Sequence, residues 1–594
     1  MSAVLKPAAF TPTAEQAAIL DAVRDLHPGG LLKIQARAGT GKTSTLELLA
    51  RADSRAMLYL AFNRDIAEAA KKRFPGTVTV KTTHGLAWSA LGVQEWIPAK
   101  GAPRTLRSWE LGRWLSARRW HPSIKTGAGQ SNVATDLLAT VRTFMQSADA
   151  VLGQQHIRCG TKTNLNAFKA SAMSANPANP ELAERDAWAG FGRYQGWLLE
   201  KATALWNAMI DREDSSIPLE HDAYLKLYQL KRPVLDWPVI LMDEAQDLNP
   251  CVMALFLSQP AAKIMVGDDS QSIYAFRGAV DALRTPGKEL PLLQSFRFGP
   301  AIAEVANQVL AFKAAYWPGF HALRGFEQRK SVIGPVVAPP YTVICRSNQG
   351  VFHAALKAVM AGLTINSGAK DLEESILYVE SAWSLLTGER LPKLHQEIAE
   401  FGNWDMLEQE SQTDQGLQWL VRLVTDYRED MPDICGKLRA AKTRMKKSAD
   451  VLLVTAHKSK GLEFDQVILA DDFTALDREL SAALKIIDAQ KREAVLAQLP
   501  EQELHLLYVA ATRAQKRLQP NQTLETMSNL SDSLEKIRAR ARANKAAEAP
   551  PPPKLVARQT PEQRQQCFDA RVAEFVRAGM THEEAAAAAT KEGW

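Results

Sequence analysis

A glycine-rich segment near the start of the chain has the residue types of a phosphate-binding loop. Gly39 and Gly41 let backbone amides close around phosphate groups, and Lys42 can reach the β- and γ-phosphates of a nucleotide. The segment follows an apolar run of strand length and opens a helical pattern, so a helix N-terminus also favours an anion there. We therefore predict a nucleotide site that includes Ala38, Gly39, Thr40, Gly41, Lys42, Thr43 and Ser44.

The start of this loop departs from the usual pattern. Ala36 stands where such loops commonly begin with glycine, and the alternative interpretation is a glycine-rich turn between a strand and a helix. The Gly-Lys-Thr sequence after an apolar strand favours the phosphate loop. Thr43 can then place its hydroxyl on Mg²⁺. Gln16, ahead of the first strand, has an amide that can hydrogen bond adenine, although a lone glutamine is equally a surface residue.

A pair of carboxylates follows the apolar run Val239–Met242. At the carboxyl end of a buried strand, Asp243 can hold Mg²⁺ through water, and Glu244 can orient and deprotonate an attacking water molecule. The alternative is an acidic helix start, which the helix dipole also favours. Burying two carboxylates beside an apolar strand is costly without a function, so together with the phosphate loop they predict ATP hydrolysis with Mg²⁺.

Two blocks of short apolar runs that alternate with helical patterns must position these residues. Fully buried parallel strands have this appearance, so the pattern predicts an α/β fold with two doubly wound domains. The predicted strands are Leu31–Gln35, Met57–Ala61, Thr77–Val80, Val239–Met242 and Lys263–Val266 in the first block, and Tyr341–Cys345, Val451–Thr455 and Gln466–Ala470 in the second.

Each block is interrupted by a mainly helical stretch that is too long for a loop, which indicates an inserted subdomain. The domains we infer are 1–90 with 226–298, its helical insertion 91–225, a second domain of 299–350 with 451–525, its insertion 351–450, and a tail of 526–594. The tail combines a basic helical run, a proline spacer and two short helical patterns. Its final segment, 560–594, is either a module that binds a protein partner or a small helical cap.

Composition sets further limits on the protein class. Of 594 residues, 46% are hydrophobic and 23% charged, as in ordinary soluble proteins. No apolar run approaches the ~20 residues of a membrane span, and the first residues lack a signal-peptide core, so we expect a cytoplasmic protein without membrane contact. The net charge of +6 is too mild to indicate nucleic acid by itself. Because the five cysteines are far apart with no Cys-x-x-Cys, we expect neither zinc nor an iron–sulfur cluster.

Further motif blocks follow in a fixed order: Gly267–Ala279, Ser295–Arg297, Thr455–Phe464 and Leu507–Ala514. With the loop and the acidic pair they resemble the motif series of the superfamily 1 UvrD/Rep-type DNA helicases, from about Phe10 to about Leu518. Three shorter blocks resemble the branch that includes the eukaryotic F-box DNA helicase: Ala61–Arg64, Thr82–Gly85 and His221–Lys226. Because the Gln16 motif lies so near the first residue, we expect no F-box segment, and we expect a phage or bacterial source.

The resemblance implies two RecA-like P-loop domains with ATP in the cleft between them. Arg297 and Arg513 would come from the second domain to the γ-phosphate, and Gln271 would sense that phosphate. Guanidinium groups suit the charge that develops during phosphoryl transfer. Phe296 would stack on adenine. The resemblance also brings Arg64 and Glu463 to the nucleotide, Glu463 near the ribose or the metal.

The resemblance further implies a DNA path lined by Phe62, Thr83, His84, Tyr274, Phe276, Arg277, Arg346, Thr455 and His457. Aromatic side chains stack on bases of any sequence, which suits a motor. Taken alone, Tyr274 has a core aromatic as its alternative interpretation, and His84 and His457, each in isolation, would more often be structural histidines. In the first insertion, basic residues alternate with Trp109, Trp114 and Trp120, and this patch is either a DNA contact or arginines packed over tryptophans.

The resulting hypothesis is an ATP-dependent helicase that moves 3′ to 5′ on single-stranded DNA and opens duplex at junctions. The polarity comes from the resemblance alone, and the residues leave RNA open as a track. One alternative is a translocase that strips recombinase or other proteins from DNA with little unwinding. A non-enzymatic scaffold switched by nucleotide is disfavoured because Lys42, Glu244, Arg297 and Arg513 are all present.

Overall fold

The computed structural model describes residues 12–126, 128–275, 278–313, 321–367, 371–399, 401–411, 415–443 and 448–530. The strands in these residues are β1 (Leu31–Ala36), β2 (Met57–Ala61), β3 (Val78–Thr82), β4 (Val239–Met242), β5 (Ala262–Gly267), β6 (Lys288–Leu292), β7 (Val332–Ile333), β8 (Tyr341–Cys345), β9 (Ile365–Ser367), β10 (Val451–Thr455), β11 (Phe464–Leu469) and β12 (Ala514–Gln519). The predicted tail from 531 onward, with Cys567, lies outside the described residues.

The helices of the same residues fall into three groups along the chain. The first domain and its insertion contain α1 (Ala14–Arg24), α2 (Lys42–Ala52), α3 (Arg64–Lys71), α4 (Thr83–Leu91), α5 (Ile97–Lys100), α6 (Ser108–Ala117), α7 (Gln130–Gln146), α8 (Leu165–Ala175), α9 (Pro180–Ile210), α10 (His221–Leu230) and α11 (Pro250–Leu257). The second domain and its insertion begin with α12 (Pro300–Lys313), α13 (Asn348–Met360), α14 (Asp371–Thr387), α15 (Gln396–Ala399), α16 (Trp404–Ser411), α17 (Gln415–Asp426) and α18 (Met431–Ala440). The last group is α19 (Ala456–Ser459), α20 (Thr474–Leu484), α21 (Ala489–Leu496), α22 (Glu501–Ala511) and α23 (Gln522–Asn529).

The first sheet has six parallel strands in the order β3-β2-β4-β5-β1-β6. Strands β2, β4 and β5 are buried along their whole length, which explains why their sequences are continuous apolar runs. The carboxyl ends of β1 and β4 meet at the same edge and bring Ala36 and Met242, and the motifs that follow them, to one place. The five strands predicted for this block are present.

The second sheet also has six parallel strands, in the order β7-β12-β11-β8-β10-β9. The predicted fold class, α/β with two parallel sheets, is confirmed. Strand β9, inside the interval predicted as the second insertion, pairs with β10 through Ile365–Ser367. We therefore propose that this insertion starts after Ser367 and consists of α14 to α18.

The first insertion shares its hydrophobic core with the first sheet. Leu58 and Leu60 of β2 belong to the same buried cluster as Leu138 of α7, Leu198 of α9 and Leu225 of α10. This insertion is therefore packed onto one face of the sheet, and α4, which follows β3 directly, is held against α10. The opposite face of the sheet has its own cluster, formed with α1, α2 and α3.

A buried lysine of α10 links the end of the insertion to the turn that follows α7. Lys226 of α10 is fully buried, and its Nζ donates hydrogen bonds to the carbonyl oxygens of Ser147 and Asp149 and to Oε1 of Gln229, at 2.8, 2.5 and 3.0 Å. Nζ also lies 4.7 Å from the ring centre of Phe144. The buried ammonium group thus donates to two carbonyls in the turn that follows α7.

Replacement of this lysine tests that role. Lys226→Met keeps much of the volume but leaves the two carbonyls without their donor, and should lower the free energy of unfolding by about 2–4 kcal/mol. Thermal unfolding followed by circular dichroism, with amide exchange around residue 148, is the measurement. Lys231→Met, one turn further on an exposed position, is the control and should leave both unchanged.

Candidate active site

The phosphate loop is held in shape by its two glycines and by the segment that leads into the second domain. Gly39 and Gly41 have φ values of +73° and +78°, in the left-handed region that favours glycine, and α2 begins directly after Gly41. The amide of Phe296 donates a 2.8 Å hydrogen bond to the carbonyl oxygen of Gly39. A Cβ on Gly39 would lie 2.6 Å from Cβ of Arg297 and from Oγ of Ser295, so only glycine fits at this approach.

Lys42 and Glu244 form an ion pair at the predicted nucleotide site. Lys42 Nζ donates to Oε2 of Glu244 at 2.8 Å, and both side chains are largely buried. Burial lowers the pKa of Lys42, but Glu244 and Asp243 raise it more, so its pKa lies above the ordinary value. Burial alone would raise the pKa of Glu244, whereas Lys42 and Lys460 bring it down to about 2. Both groups are therefore charged, and Glu244 is a weak base in this arrangement.

Oxygen ligands suited to Mg²⁺ lie beside this pair. Thr43 Oγ1 and Tyr59 Oη donate to Oδ2 of Asp243 at 3.2 and 2.6 Å. Burial and the neighbouring Glu244 raise the pKa of Asp243, so a cation would relieve an unfavourable arrangement. One hydroxyl and one carboxylate fit Mg²⁺, which binds through few protein ligands together with phosphate oxygens. Within the described residues, no group of three His, Cys, Asp or Glu side chains is placed to hold a metal.

The two arginines predicted at the γ-phosphate, one in the segment that links the two domains and one after α22, form a connected group. Arg297 donates from Nε to Oε1 of Glu463 at 2.8 Å and from Nη1 to the carbonyl oxygen of Thr512 at 3.0 Å. Arg513 is fully buried, and its Nη2 lies 3.5 Å from Oε1 of Gln271. Burial and the neighbouring Arg297 lower the pKa of Arg513 to about 9, so it stays cationic at neutral pH.

The remaining predicted nucleotide residues lie around this group with other contacts. Gln16 is buried, accepts a hydrogen bond from the amide of Thr13 and donates one to Oγ1 of Thr45, so both polar atoms of its amide are used within the protein. Ser44 Oγ accepts a hydrogen bond from Arg73 at 3.0 Å. Thr40 Oγ1 donates to the carbonyl oxygen of Arg37, which closes the loop on itself.

Two more residues were predicted to contact the nucleotide, and only one of them lies beside the loop. Phe296 packs edge-on against Phe326, with ring centres 5.5 Å apart, and lies beside Gly41. Arg64 lies at the exposed N-terminus of α3, which Asn63 caps. The structure thus brings Lys42, Thr43, Asp243 and Glu244 together, connects Gln271 with Arg513 and Arg297 with Glu463, and leaves Arg64 on the surface.

A buried ionic group beneath the phosphate loop was not predicted from the sequence. Arg37 is fully buried, and its Nη1 donates to Oδ1 of Asp269 at 2.5 Å and lies 3.4 Å from Oδ1 of Asp268. Tyr508 Oη, on α22 of the second domain, accepts from the amide of Ala38 at 3.1 Å and donates to Oδ2 of Asp268 at 3.2 Å. Lys313 of α12 lies 3.2 Å from Oδ2 of Asp269. In the sequence, the only indication of this ionic group was the presence of charged residues in the motif blocks.

An aromatic cluster marks the predicted DNA path. The rings of Phe62 and Tyr274 are stacked, with centres 6.0 Å apart and planes 17° from parallel, and His457 is 6.4 Å from Tyr274. A 640 Å³ cavity beside Tyr274 is lined by Ile273, Tyr274, Arg346, His457, Lys458, Lys460, Gln502, Glu503 and Leu506. Thr455, two residues before His457, caps α19 through its side chain. Phe276 and Arg277 lie outside the described residues.

Lys460 connects this cavity with the predicted nucleotide site. Its Nζ forms a short ion pair with Asp247, donates to the carbonyl oxygen of Gln271 at 2.7 Å and lies 5.2 Å from the ring centre of Tyr274. Burial raises the pKa of Asp247 to about 6 even though Lys460 lowers it. One lysine from the second domain therefore contacts the acidic motif, the Gln271 segment and the aromatic cluster of the first.

The other predicted DNA residues have contacts that also serve packing. His84 Nε2 lies 3.2 Å from Oδ1 of Asp222, and its ring is edge-on to Tyr224. Thr83, the first residue of α4, is buried. In the basic patch of the insertion, the guanidinium groups of Arg113 and Arg118 lie 4.2 and 4.1 Å from the ring centres of Trp109 and Trp114. These arginines pack over tryptophans, as the second interpretation of the patch expected.

Two family models match the chain. A model of the UvrD/REP helicase N-terminal domain matches residues 16–283, and a model of the UvrD-like helicase C-terminal domain matches residues 372–520. The chain belongs to the UvrD/REP helicase family. The predicted resemblance is thereby confirmed, and the two matched regions contain both carboxylates of the acidic motif, the phosphate loop and Arg513.

Relatives of this UvrD/REP family member include two F-box helicases. F-box DNA helicase protein 1 of Schizosaccharomyces pombe is 30% identical over 549 residues, which is 86% of this chain and 57% of the relative. F-box DNA helicase 1 of Gallus gallus is 30% identical over 542 residues, 86% of this chain and 49% of the relative. DNA helicase IV of Escherichia coli is 35% identical over 91 residues, 13% of each chain. The chain spans about half the length of the F-box relatives.

The described part of this UvrD/REP-family chain contains no helix that is both long and apolar enough to span a membrane. Cys159, Cys251, Cys345 and Cys435 are free thiols. Burial raises the pKa of Cys251 and of Cys435 to about 12, so these two thiols are unreactive at neutral pH. The expected phage or bacterial source stays a prediction.

The close approach at Gly39 gives a testable consequence. Gly39→Ala should weaken binding of a fluorescent ATP analogue by about tenfold or more, because the methyl group adds left-handed strain of ~1–2 kcal/mol and collides with Ser295 and Arg297. Gly29→Ala is a matched control, since Gly29 has φ +80° and open space around its Cβ position. Equal affinities of the two variants would contradict the role given to the Gly39 contact.

Proposed function

We propose that this protein is an ATP-driven DNA helicase that moves along single-stranded DNA in the 3′-to-5′ direction. The observation that carries the proposal is one continuous set of contacts between two sites. Lys42, Glu244 and Arg513 form the nucleotide side, and Tyr274 with Lys460 forms the strand side. Family membership and the names of the F-box relatives support the same activity.

The nucleotide side suggests how hydrolysis is switched on. Lys42 is paired with Glu244, and both groups remain charged. A γ-phosphate would offer Lys42 a stronger partner, so Glu244 would lose the cation that holds its pKa down and become a better base for the attacking water. Arg297 and Arg513 would then stabilise the negative charge of the transition state. Thr43 and Asp243 would hold Mg²⁺, which neutralises phosphate charge.

The strand side suits a polyanion with exposed bases. Tyr274, Phe62 and His457 offer stacking faces. The ring centre of Tyr274 lies 6.0 Å from that of Phe62 and 6.4 Å from that of His457. Each base stacked on an aromatic side chain contributes ~1–3 kcal/mol irrespective of sequence. Lys458 and Lys460 add positive charge to the wall of the same cavity, which favours phosphates next to the stacked bases.

The segment from Gln271 to Tyr274 would carry the signal between the sites. The Gln271 side chain contacts Arg513 and donates to Asp268 at 2.6 Å, while its carbonyl oxygen accepts from Lys460. Three residues later, Tyr274 lines the strand cavity. A change in the position of Arg513 when the cleft closes on ATP would therefore reach the stacking aromatic through a short rigid segment.

Unwinding assays test direction and track together. The proposal predicts that single-stranded DNA stimulates ATP hydrolysis and that duplex opens from a 3′ tail and not from a 5′ tail. Stimulation by DNA without unwinding would replace the helicase with a translocase that strips proteins from the strand. Stimulation by RNA alone would contradict the proposal that the track is DNA. Absence of stimulation by either nucleic acid would contradict the proposal that the protein is a motor.

The catalytic assignment of Lys42 is tested by substitution. Lys42→Ala should reduce DNA-stimulated ATP turnover by about 100-fold or more, because the ammonium group is proposed to stabilise phosphate charge that grows in the transition state. Lys71→Ala, which removes an exposed lysine of α3, is the control for loss of one charge. A folded Lys42→Ala protein with the turnover of the control would contradict the assignment.

A further inference from the structure

One carboxylate lies among the cations of the strand cavity. Arg346, Lys458 and Lys460 line its wall, and so does Glu503. A site for a phosphate backbone gains affinity from each cation, whereas a carboxylate at the same wall repels the phosphates. The presence of the Glu503 carboxylate at this wall therefore requires an explanation.

Glu503 holds Arg346 with the geometry that a phosphate would use. Arg346 donates from Nε to Oε2 and from Nη2 to Oε1 of Glu503, at 2.8 and 2.7 Å. Paired parallel hydrogen bonds of this kind are the strongest contact of an arginine with either a carboxylate or a phosphate. The Glu503 side chain is 13% exposed and that of Arg346 33%, so Arg346 is the member of the pair that a strand can reach more easily.

The main chain around Arg346 is fixed independently of Glu503. The amide of Arg346 donates to Oδ1 of Asp472 at 2.7 Å, and the amide and hydroxyl of Ser347 donate to Oδ2 of the same carboxylate. Loss of the pair would thus free the guanidinium without displacing its backbone. Glu503 itself lies in the first turn of α22, where a carboxylate also stabilises the helix N-terminus.

We propose that Glu503 competes with the phosphates of the bound strand for Arg346. A phosphate must displace the carboxylate to gain the guanidinium, and the returning carboxylate helps to release the phosphate in each step. Such a competitor keeps the grip reversible, as a stepping motor requires. The inference rests on the proposed function, since it takes single-stranded DNA as the occupant of the cavity.

The position of Glu503 places this exchange on the helix that also contacts the phosphate loop. Tyr508, five residues later on α22, accepts the hydrogen bond from the amide of Ala38, and Arg513 follows the end of the same helix. The exchange at Arg346 and the nucleotide contacts are therefore made by two ends of one rigid element.

The experiment measures binding of the full-length protein to fluorescently labelled oligothymidylate by anisotropy, without nucleotide. Glu503→Gln should bind about three- to tenfold more tightly than wild type at low salt, because Arg346 no longer has a charged competitor. The oligonucleotide concentration for half-maximal ATPase stimulation should fall by the same factor. Glu525→Gln, in the exposed first turn of α23, controls for the loss of one negative charge on a helix start.

A double-mutant cycle with Arg346→Ala separates competition from general repulsion. The gain from Glu503→Gln should vanish when Arg346 is already absent. A gain of equal size in both backgrounds, or no gain beyond that of Glu525→Gln, would overturn the proposal.

If Glu503→Gln does not fold, Glu503→Asp provides the test. The aspartate keeps the negative charge at the helix start but is too short for the paired contact with Arg346. It should therefore give a smaller gain in affinity, which again requires Arg346. Failure of the wild type itself to bind or respond to DNA would instead overturn the proposed function.

Discussion

The contact between the phosphate loop and the segment Ser295–Arg297 determines how the two domains can share a site. The chain passes so close to Gly39 that no side chain fits there, and the amide of Phe296 is hydrogen bonded to the loop itself. Arg297 is thereby fixed next to the phosphate loop, although the chain goes on from it into the second domain. The loop cannot change shape without moving this segment, and the reverse is equally true.

Buried charges beneath the loop extend the same dependence. Arg37, Asp268 and Asp269 of the first domain are buried together with Tyr508 and Lys313 of the second. Removing one member would leave the others as uncompensated charges or unpaired donors in a low-dielectric interior, which is strongly destabilising. The pKa of Asp269 is therefore held far below its usual range, with Lys313 and Arg37 outweighing the burial that would raise it. The network fixes the relative placement of the elements that would surround ATP.

Much of this arrangement could be predicted from the sequence. The buried strands of both sheets are continuous apolar runs, and Lys42, Asp243 and Glu244 follow such strands at a sheet edge, so their proximity was predictable from topology alone. Strands β6, β7, β9 and β12 were missed because they are short or partly exposed and lack that apolar signal. The Arg37–Asp269 and Arg346–Glu503 pairs were not predictable, because each joins residues more than 150 positions apart through side-chain geometry.

The most direct test of a site shared by two domains is the single-turnover rate of ATP hydrolysis in Arg297→Ala with saturating single-stranded DNA. The account predicts a rate about 10³-fold below wild type with nearly unchanged nucleotide affinity, since the guanidinium would act mainly on transition-state charge. Arg478→Ala, at an exposed position of α20, controls for the loss of a surface arginine. A wild-type rate for folded Arg297→Ala would contradict the claim that the segment linking the two domains completes the active site.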